Sequence, residues 1–174
     1  MNYDEINYWL SYNSKTGTLR WKNRPSNRVK IGDIAGCLNG FGYRRLKICG
    51  ERFVAHRLAW LIMTGEWPDH EIDHINQDKD DNRWVNLRAA THSENNINTP
   101  LIMANNTSGY RGVSWHSQRS KWLAQIAKNG RHYHLGLFET KEDAYEAYKA
   151  AATYLHGIFN PVVDEDLHKP PNAQ

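Results

Sequence analysis

Apolar and polar residues alternate in short runs through the first third of the chain, and turn residues separate the runs. Gly40 and Gly42, for example, precede a run that mixes apolar and basic positions, and a Cys-Gly-Glu turn follows it. Such runs, bounded by turns, are typical of short strands. The pattern predicts a small antiparallel sheet with strands at Thr18–Trp21, 43–48 and 52–54, leading into a helix at about 55–64.

The next segment combines short apolar runs with a polar loop and a helix start. Thr91 with Glu94 three residues later is a capping box, which would place Asn95 in the first turns of a helix and Asn98 one turn beyond it. The predicted order is a strand at Glu71–His74, a polar loop at 76–82, a second strand at 84–87 and the helix.

The last third repeats the scheme of strands followed by a helix. Pro100 and an Asn-Asn-Thr-Ser run favour a connector before it. Thr140 with Asp143 forms another capping box, apolar residues then recur at helical spacing, and Gly157 supplies a stop. Three strands are predicted at 109–115, 121–126 and 132–138, with the apolar stripe of the helix packed on one face of their sheet.

These patterns predict an α+β protein of two modules. The predicted division is an N-terminal domain at 1–98 with its core at about 70–98, a linker at 99–107, a second domain at 108–160 and a tail at 161–174. A length of 174 residues with 40% hydrophobic residues supplies small cores of this kind.

Several classes of protein do not fit the sequence. The run at 58–63 is six residues long, far below the length of a membrane span, so no membrane partner is expected. The N-terminus lacks a basic region followed by an apolar one, so a cytoplasmic protein is expected. Cys37 and Cys49 are not spaced as a metal-binding pair, and no structural zinc is expected.

Charge is segregated along the chain, although the net charge is only +3. Residues 15–57 contain eleven lysines or arginines and two acidic residues, whereas residues 66–82 contain seven acidic residues and one lysine. Residues 109–131 contain five basic residues and no acidic one. Two basic blocks around an acidic centre favour a protein that holds a phosphate backbone at both ends and a cation in the middle.

The acidic centre contains the residue types that phosphodiester hydrolysis needs. The reaction requires a deprotonated water and stabilisation of the charge that develops on the phosphate and the leaving oxygen. Mg²⁺ or Mn²⁺ prefers oxygen ligands and keeps several waters, so Asp73 and Asn95 would suffice as protein ligands. His74 suits a general base, provided that the strand ends or bends there.

This part of the chain closely resembles the HNH endonucleases of phages and mobile introns, over roughly residues 10 to 98. The resemblance implies a ββα-metal site in which Asp73 and Asn95 bind one divalent cation, His74 activates water, and Asn86 orients the histidine or holds the loop. It is carried by His56-Arg-Leu-Ala-Trp60, Gly65-Glu-Trp-Pro68, Glu71-Ile-Asp-His74, Asp80-Asp-Asn-Arg83, Asn86-Leu-Arg88 and Asn95-Asn-Ile-Asn98.

Basic and polar residues around this site are expected to support it. His56 on the predicted helix is more often a packed core residue than a ligand, and Asn98 is a supporting candidate. Arg44 and Arg45 on the predicted sheet, together with Arg88, are candidates for contact with DNA.

The second module resembles the AP2 DNA-binding domain over nearly all of residues 107 to 160. The matching residues are Tyr110-Arg-Gly-Val113, Lys121-Trp122, Leu135-Gly-Leu-Phe138, Glu142-Asp-Ala144 and Ala147-Tyr148. The resemblance implies a three-stranded sheet in the major groove of double-stranded DNA. By position, the DNA contacts would come from Arg111, Ser114, His116, Lys121, Gln125, Ala127, His132 and His134.

Three departures separate this module from the plant members of that family. Ser114, His116 and Ala127 replace arginines, so the plant target sequence does not carry over. Arg111 is the foremost candidate for a base contact. Trp115, Arg119 and Lys128 are its candidate neighbours, although Trp115 and Trp122 could equally belong to the core.

Together the two resemblances imply a metal-dependent, site-preferring DNA endonuclease of the homing type, encoded by a phage or mobile element of a bacterial host. A weakly specific DNA-processing nuclease is one alternative, and a DNA-binding regulator with an inactive nuclease domain is another. A monomer that cuts one strand is the simplest expectation, and a dimer that cuts both strands is the alternative.

Overall fold

The computed structural model describes residues 1–98, 106–128 and 130–159 of the chain. The predicted tail and most of the predicted linker lie outside these residues. The chain divides into two compact units, Met1–Asn95 and Asn96–Gln174. Small antiparallel sheets combine with helices, which confirms the predicted α+β class. No helix in the described ranges is long and apolar enough to cross a membrane.

The first unit opens with a helix that the sequence analysis did not predict. The Asn2 side chain accepts a hydrogen bond from the Glu5 amide, and the Glu5 carboxylate accepts one from the Asn2 amide, which is a complete capping box. The elements are α1 (Tyr3–Trp9), β1 (Leu10–Asn13), β2 (Thr18–Trp21), β3 (Cys37–Leu38), β4 (Arg44–Ile48), β5 (Glu51–Val54) and α2 (Ala55–Thr64).

These elements form two small sheets around one hydrophobic core. Strands β1 and β2 pair with each other, while β3, β4 and β5 form a sheet in that order. Leu46 and Ile48 of β4 are buried and Lys47 between them is exposed, as alternation along a strand requires. The largest fully buried apolar side chains are Ile6, Leu10, Leu19, Ile48, Leu58 and Leu61.

A second hairpin and a short helix complete the first unit. Strand β6 (Glu71–His74) pairs antiparallel with β7 (Leu87–Ala90), and α3 (His92–Ile97) follows and runs across the division between the units. The predicted second strand at 84–87 is wrong, because Trp84–Asn86 is a 3-10 turn. The Trp84 amide donates to the carbonyl of Ser14, so these residues close the loop before the strand begins.

The second unit is a three-stranded antiparallel sheet with one long helix. Strand β9 (Lys121–Lys128) lies between β8 (Val113–His116) and β10 (Arg131–Phe138), and α4 (Lys141–His156) packs on one face. The Thr140 hydroxyl caps α4 by accepting from the Asp143 amide, as predicted. The core contains Val113, Ala124, Ile126, Ala144, Tyr148 and Ala152.

Gly112 permits the sheet and helix to pack closely. Its φ is +71°, and a Cβ there would lie 2.2 Å from the Tyr148 ring. No other residue fits this conformation and this space. The glycine therefore fixes how the start of β8 meets α4.

Candidate active site and nucleic-acid interface

Asp73 and His74 lie at the end of β6, where both side chains are almost completely buried. In the hairpin register Asp73 is opposite Arg88, and His74 is opposite Leu87. Strand β6 ends at His74. The prediction that Asp73 binds a cation while His74 activates water required the strand to end or bend here, because neighbouring side chains of a strand point to opposite faces. The two residues therefore lie at the junction of the strand and the polar loop.

Arg88 forms a close ion pair with Asp73. Its Nε and Nη2 atoms each lie 2.7 Å from Oδ2 of Asp73, and the two side chains are 12% and 6% exposed. Arg88 was a candidate for contact with DNA, but the structure places its guanidinium on this carboxylate. A buried carboxylate needs such a counter-charge, since desolvation alone would disfavour its ionised form.

The imidazole of His74 is held by a residue to which sequence analysis assigned no role. The Asn82 side chain donates from Nδ2 to the Asp80 carbonyl at 2.9 Å, so its Oδ1 accepts from His74 Nε2 at 3.4 Å. In that tautomer Nδ1 is the basic nitrogen. Burial lowers the pKa of His74, although the hydrogen bond that it donates to Asn82 and the charge of Asp73 oppose the shift. The ring is therefore neutral near pH 7.

His56 packs edge-on against His74, with ring centroids 5.0 Å apart, and Tyr43 lies 5.4 Å from His56. Burial lowers the pKa of His56 to about 3, with smaller contributions from His74 and Arg57. The structure thus places His56 as a neutral packing residue beside the candidate base.

The turn between β1 and β2 packs against the backbone of Asn82. Gly17 has a φ of +71°, and a Cβ there would lie 2.5 Å from the backbone of Asn82 and Arg83. The Tyr12 hydroxyl donates to the Asn82 carbonyl at 2.7 Å, and burial raises the Tyr12 pKa to about 12, so the donor stays protonated. Close packing therefore fixes the loop that carries Asn82.

Asn86 holds the loop, which was one of its two predicted roles. Its Oδ1 accepts from the Asn76 amide at 2.9 Å, and its Nδ2 donates to the Asp81 carbonyl at 2.7 Å. No bond between Asn86 and His74 is described, and orientation of the histidine falls to Asn82 instead. The sequence signal for Asn82 was its place in the Asp-Asp-Asn-Arg block at 80–83.

Arg44 also holds this loop. Its Nε and Nη2 each lie 2.8 Å from a different carboxylate oxygen of Asp80, the two-point geometry that guanidinium favours. It was predicted to contact DNA, but this bond ties β4 to the loop. Arg83 similarly binds Asp81 and, as the largest cause, lowers its pKa to about 2.

Glu71 joins Asn95 to the hairpin. Its carboxylate accepts from Asn95 Nδ2 at 2.5 Å and lies 2.8 Å from His92 Nδ1, and the Asn95 bond is the main cause of the lowered Glu71 pKa. Thr91 and Glu94 form the predicted capping box at the start of α3. Asn98, the predicted supporting residue, is buried just after this helix.

The residues at the end of the hairpin match the donor chemistry of a hard cation. Asp73 offers a carboxylate and Asn95 an amide, and Mg²⁺ or Mn²⁺ completes such a set with water and substrate oxygens. Among the described residues no group of three or more His, Cys, Asp or Glu side chains could hold a metal ion. The ligand pair of one carboxylate and one amide stays a prediction.

The sheet of the second unit presents a polar face away from α4. Gln125 pairs with His134, and Ala127 pairs with His132. Alternation puts these residues opposite the core face of Ala124 and Ile126. The same face carries most of the positions implied by resemblance: Ser114, His116, Lys121, Gln125, Ala127, His132 and His134.

Three predicted contacts do not lie on this face. Trp115 pairs with Trp122 on the side of the sheet that packs on α4, with ring centroids 5.1 Å apart. Lys128 Nζ donates to the Leu155 carbonyl of α4. Arg111 Nη1 donates to the Ile97 carbonyl at 2.7 Å. These three residues therefore make contacts within the protein that their charge and residue type did not predict.

The other predicted contacts remain at the surface. Lys121 lies on the polar face and forms an ion pair of 2.7 Å with Glu139. Arg119 is exposed in the 3-10 turn that follows β8, and Arg45 is exposed on β4 of the first unit. Gln125 is exposed near the middle of the polar face.

Comparison with known families matches both units. A family model described as HNH endonuclease matches residues 53–97, and one described as AP2 domain matches residues 108–158. No solved structure matches the chain.

Relatives are found for each unit. An uncharacterized HNH endonuclease of Acanthamoeba polyphaga mimivirus is 33% identical over 60% of this chain and 54% of its own. Protein 3.8 of Escherichia phage T7 is 31% identical over 60% of this chain and 85% of its own. An AP2-like ethylene-responsive transcription factor of Arabidopsis thaliana is 39% identical over 36% of this chain and 11% of its own. The match thus spans about half of the mimivirus protein and a small part of the plant protein.

Proposed function

The chain belongs to the HNH endonuclease family and carries an AP2 domain. We propose that it is a metal-dependent, site-preferring endonuclease of double-stranded DNA. The observation that carries the proposal is the buried, neutral His74 beside Asp73, with Asn95 joined to the same hairpin through Glu71. A base and two oxygen donors on one small framework are what hydrolysis of a phosphodiester requires.

Asp73 and Asn95 would hold one Mg²⁺ or Mn²⁺ ion. When bound, the ion would supply positive charge for the scissile phosphate and the leaving oxygen. Glu71 accepts a hydrogen bond from the Asn95 amide nitrogen, which fixes the orientation of this side-chain amide on the hairpin. A fixed amide of this kind would present its oxygen to the cation in a set orientation.

His74 would take the proton from the attacking water. The contact with Asn82 favours a proton on Nε2, so Nδ1 would act as the proton acceptor, and burial lowers the pKa of the ring and favours its neutral form. Cleavage of the leaving bond would give a 3′ hydroxyl and a 5′ phosphate.

Arg88 would balance the charge of Asp73 until the cation binds. The guanidinium and the cation are attracted to the same carboxylate, so they compete or share it. This ion pair is also the observation that favours the second candidate function, a DNA-binding regulator whose nuclease site takes no metal.

The polar face of the AP2 sheet would choose the DNA site. Gln125 and Ser114 can read base edges, and Lys121 can contact phosphate. A site-preferring enzyme of the homing type, encoded by a phage or mobile element, fits this arrangement, and the similarity to a T7 protein supports a phage origin. One such site in a monomer would nick one strand.

The test is the conversion of supercoiled plasmid DNA, carrying fragments of phage DNA, into nicked or linear product. The wild type and Asp73→Ala are compared with Mg²⁺, with Mn²⁺ or with EDTA. Cleavage that needs the cation and is lost in Asp73→Ala supports the enzyme, and nicked or linear product reports one cut strand or two. DNA binding without cleavage under every condition would support the regulator instead. A weakly specific nuclease would cut every plasmid to the same extent.

A further inference from the structure

A pocket of about 280 Å³ lies on the first unit beside the sheet of β3, β4 and β5. None of the residues proposed for the chemistry lines it. Its lining consists of three arginines and three apolar or aromatic residues: Arg45, Arg52, Phe53, Val54, Arg57 and Trp67.

Three basic side chains of the sheet lie on one of its faces. Arg45 pairs with Val54, and Lys47 pairs with Arg52, so alternation places these three basic side chains on the same side. Arg45, Lys47 and Arg52 are all exposed, whereas Leu46 and Ile48 of the same hairpin face the core. The strand pattern therefore concentrates positive charge next to the pocket.

The pocket cations have no acidic partner among the described residues. Arg45, Arg52 and Arg57 take part in none of the ion pairs in that part of the chain. Glu66 and Asp69 flank Trp67 along the chain, but neither lines the pocket. Three guanidinium groups around one cavity repel each other, and an anion would relieve that repulsion.

Two aromatic residues line part of the pocket. Phe53 and Trp67 stack with ring centroids 5.8 Å apart, and Trp67 Nε1 donates to the Met1 carbonyl at 2.8 Å. Apolar lining next to guanidinium groups lowers the local dielectric constant and strengthens their attraction to an anion. Guanidinium geometry is well matched to phosphate oxygens.

Arg57 connects the pocket to the hairpin of the candidate active site. It donates to the carbonyls of Pro68 and His70, and His70 directly precedes β6. An anion in the pocket would therefore lie on the same rigid framework as Asp73 and His74.

We propose that this pocket binds a backbone phosphate of the DNA substrate, separate from the phosphate that is cleaved. The inference rests on the proposed function, because it takes the substrate to be DNA. Arg45 and Arg52 would contact the phosphate oxygens, while Arg57 is oriented by its bonds to the backbone. Such a contact would fix the position of the substrate strand without reading its sequence.

The test is the salt dependence of duplex DNA binding by the full chain, measured by fluorescence anisotropy with EDTA present. The variants are R45Q/R52Q and a matched control, R24Q/R28Q, which removes the same charge from exposed residues of the same unit that do not line the pocket. The plot of log affinity against log salt should be shallower by about 0.9 in R45Q/R52Q, which corresponds to one lost phosphate. The slope of the control should equal that of the wild type.

Three results would overturn the inference. An unchanged slope in R45Q/R52Q would mean that no phosphate is bound there, and an equal change in R24Q/R28Q would mean that only general charge matters. If the wild type binds no DNA, the proposed function fails together with the pocket. Because all four side chains are exposed, circular dichroism should report the same folded content in every variant.

Discussion

At the scale of single residues, the ion pair between Arg88 and Asp73 should affect both the stability of the fold and the binding of the proposed cation. Replacing Arg88 with methionine leaves the buried Asp73 carboxylate without its counter-charge. Loss of one partner of a buried pair costs about 3 kcal/mol. We therefore expect Arg88→Met to lower the melting temperature in EDTA, and Mn²⁺ to raise it by more than in the wild type, because the cation no longer competes with a guanidinium.

Arg83→Met is the matched control for this prediction. It breaks an ion pair with Asp81 in which the arginine is half exposed, so little change in melting temperature is expected. A melting temperature of Arg88→Met equal to that of the wild type, with the same response to Mn²⁺, would contradict the proposed role of the pair.

His56 predicts a dependence of stability on pH. Its pKa is about 3 in the folded protein and about 6.5 in an unfolded chain, so the unfolded state binds more protons between these values. Stability is therefore lost as the pH falls from about 6.5 towards 3, by at most about 1.4 kcal/mol per pH unit for this one group. His56→Phe should flatten that dependence.

Urea unfolding at pH 7.5, 6 and 5, followed by tryptophan fluorescence, measures this effect. His70→Gln, which alters an exposed histidine in the same unit, should keep the pH dependence of the wild type. Equal slopes in His56→Phe and wild type would show that His56 does not titrate as its burial indicates.

Residue type, spacing and the family resemblance pointed to Asp73, His74 and Asn95, and the structure places all three on one hairpin and the helix that follows it, while their roles stay predictions. These sequence signals could not assign the role of Asn82, because it depends on the path of the loop. Charge alone also did not predict the contacts of Arg44, Arg88 and Lys128 within the protein. A long basic side chain reaches many partners, and only the fold shows which carboxylate or carbonyl it meets, whereas contact of these residues with DNA stays a prediction.

At the scale of elements, α3 has only six residues, so its capping box matters more than it would in a long helix. Thr91→Ala removes a cap worth about 1 kcal/mol. Because Asn95 depends on this helix, we expect Thr91→Ala to weaken cation binding, measured by calorimetry with Mn²⁺. Ser93→Ala, at an exposed position of the same helix, should bind Mn²⁺ as the wild type does. Equal Mn²⁺ affinities for the wild type, Thr91→Ala and Ser93→Ala would mean that cation binding does not depend on the helix cap.

Capping boxes predicted the starts of α3 and α4 well, because these signals act within one turn of helix. Helix α2 also lies where it was predicted, although no side chain caps its start. The second strand of the hairpin was placed three residues too early. Trp84 and Val85 are residue types that favour strands. The bond of Trp84 to Ser14, and those of Asn86 to Asn76 and Asp81, nevertheless hold this segment in the loop. Helix α1 was missed, although its Asn2 and Glu5 cap was present in the sequence.

At the scale of the whole molecule, the two units should contribute separable activities. Replacing Gln125 and His134 with alanine removes two cross-strand neighbours from the polar face of the AP2 sheet and leaves the nuclease unit intact. We expect this double variant to lose preference between DNA sites and to keep slow cleavage of plasmid DNA. Direct base contacts are worth about 1–3 kcal/mol each, so site preference should fall at least tenfold.

Tyr154→Ala supplies the control, since Tyr154 is exposed on α4 and not on the sheet. Sequencing of cleavage ends from a phage DNA library would measure the preference of each protein. An unchanged preference in the double variant would mean that the polar face does not choose the site. The family resemblance implied these positions, and the register of the sheet shows that Gln125 and His134 are direct cross-strand neighbours.

Single-turnover cleavage of duplex DNA tests whether His74 is the base of a nuclease. His74→Ala should be about 10²–10⁴-fold slower than the wild type at saturating protein and Mg²⁺. Its DNA affinity should be unchanged, and His70→Ala should cleave at the wild-type rate. A His74→Ala rate within a few-fold of the wild type, or an equal loss in His70→Ala, would contradict the account.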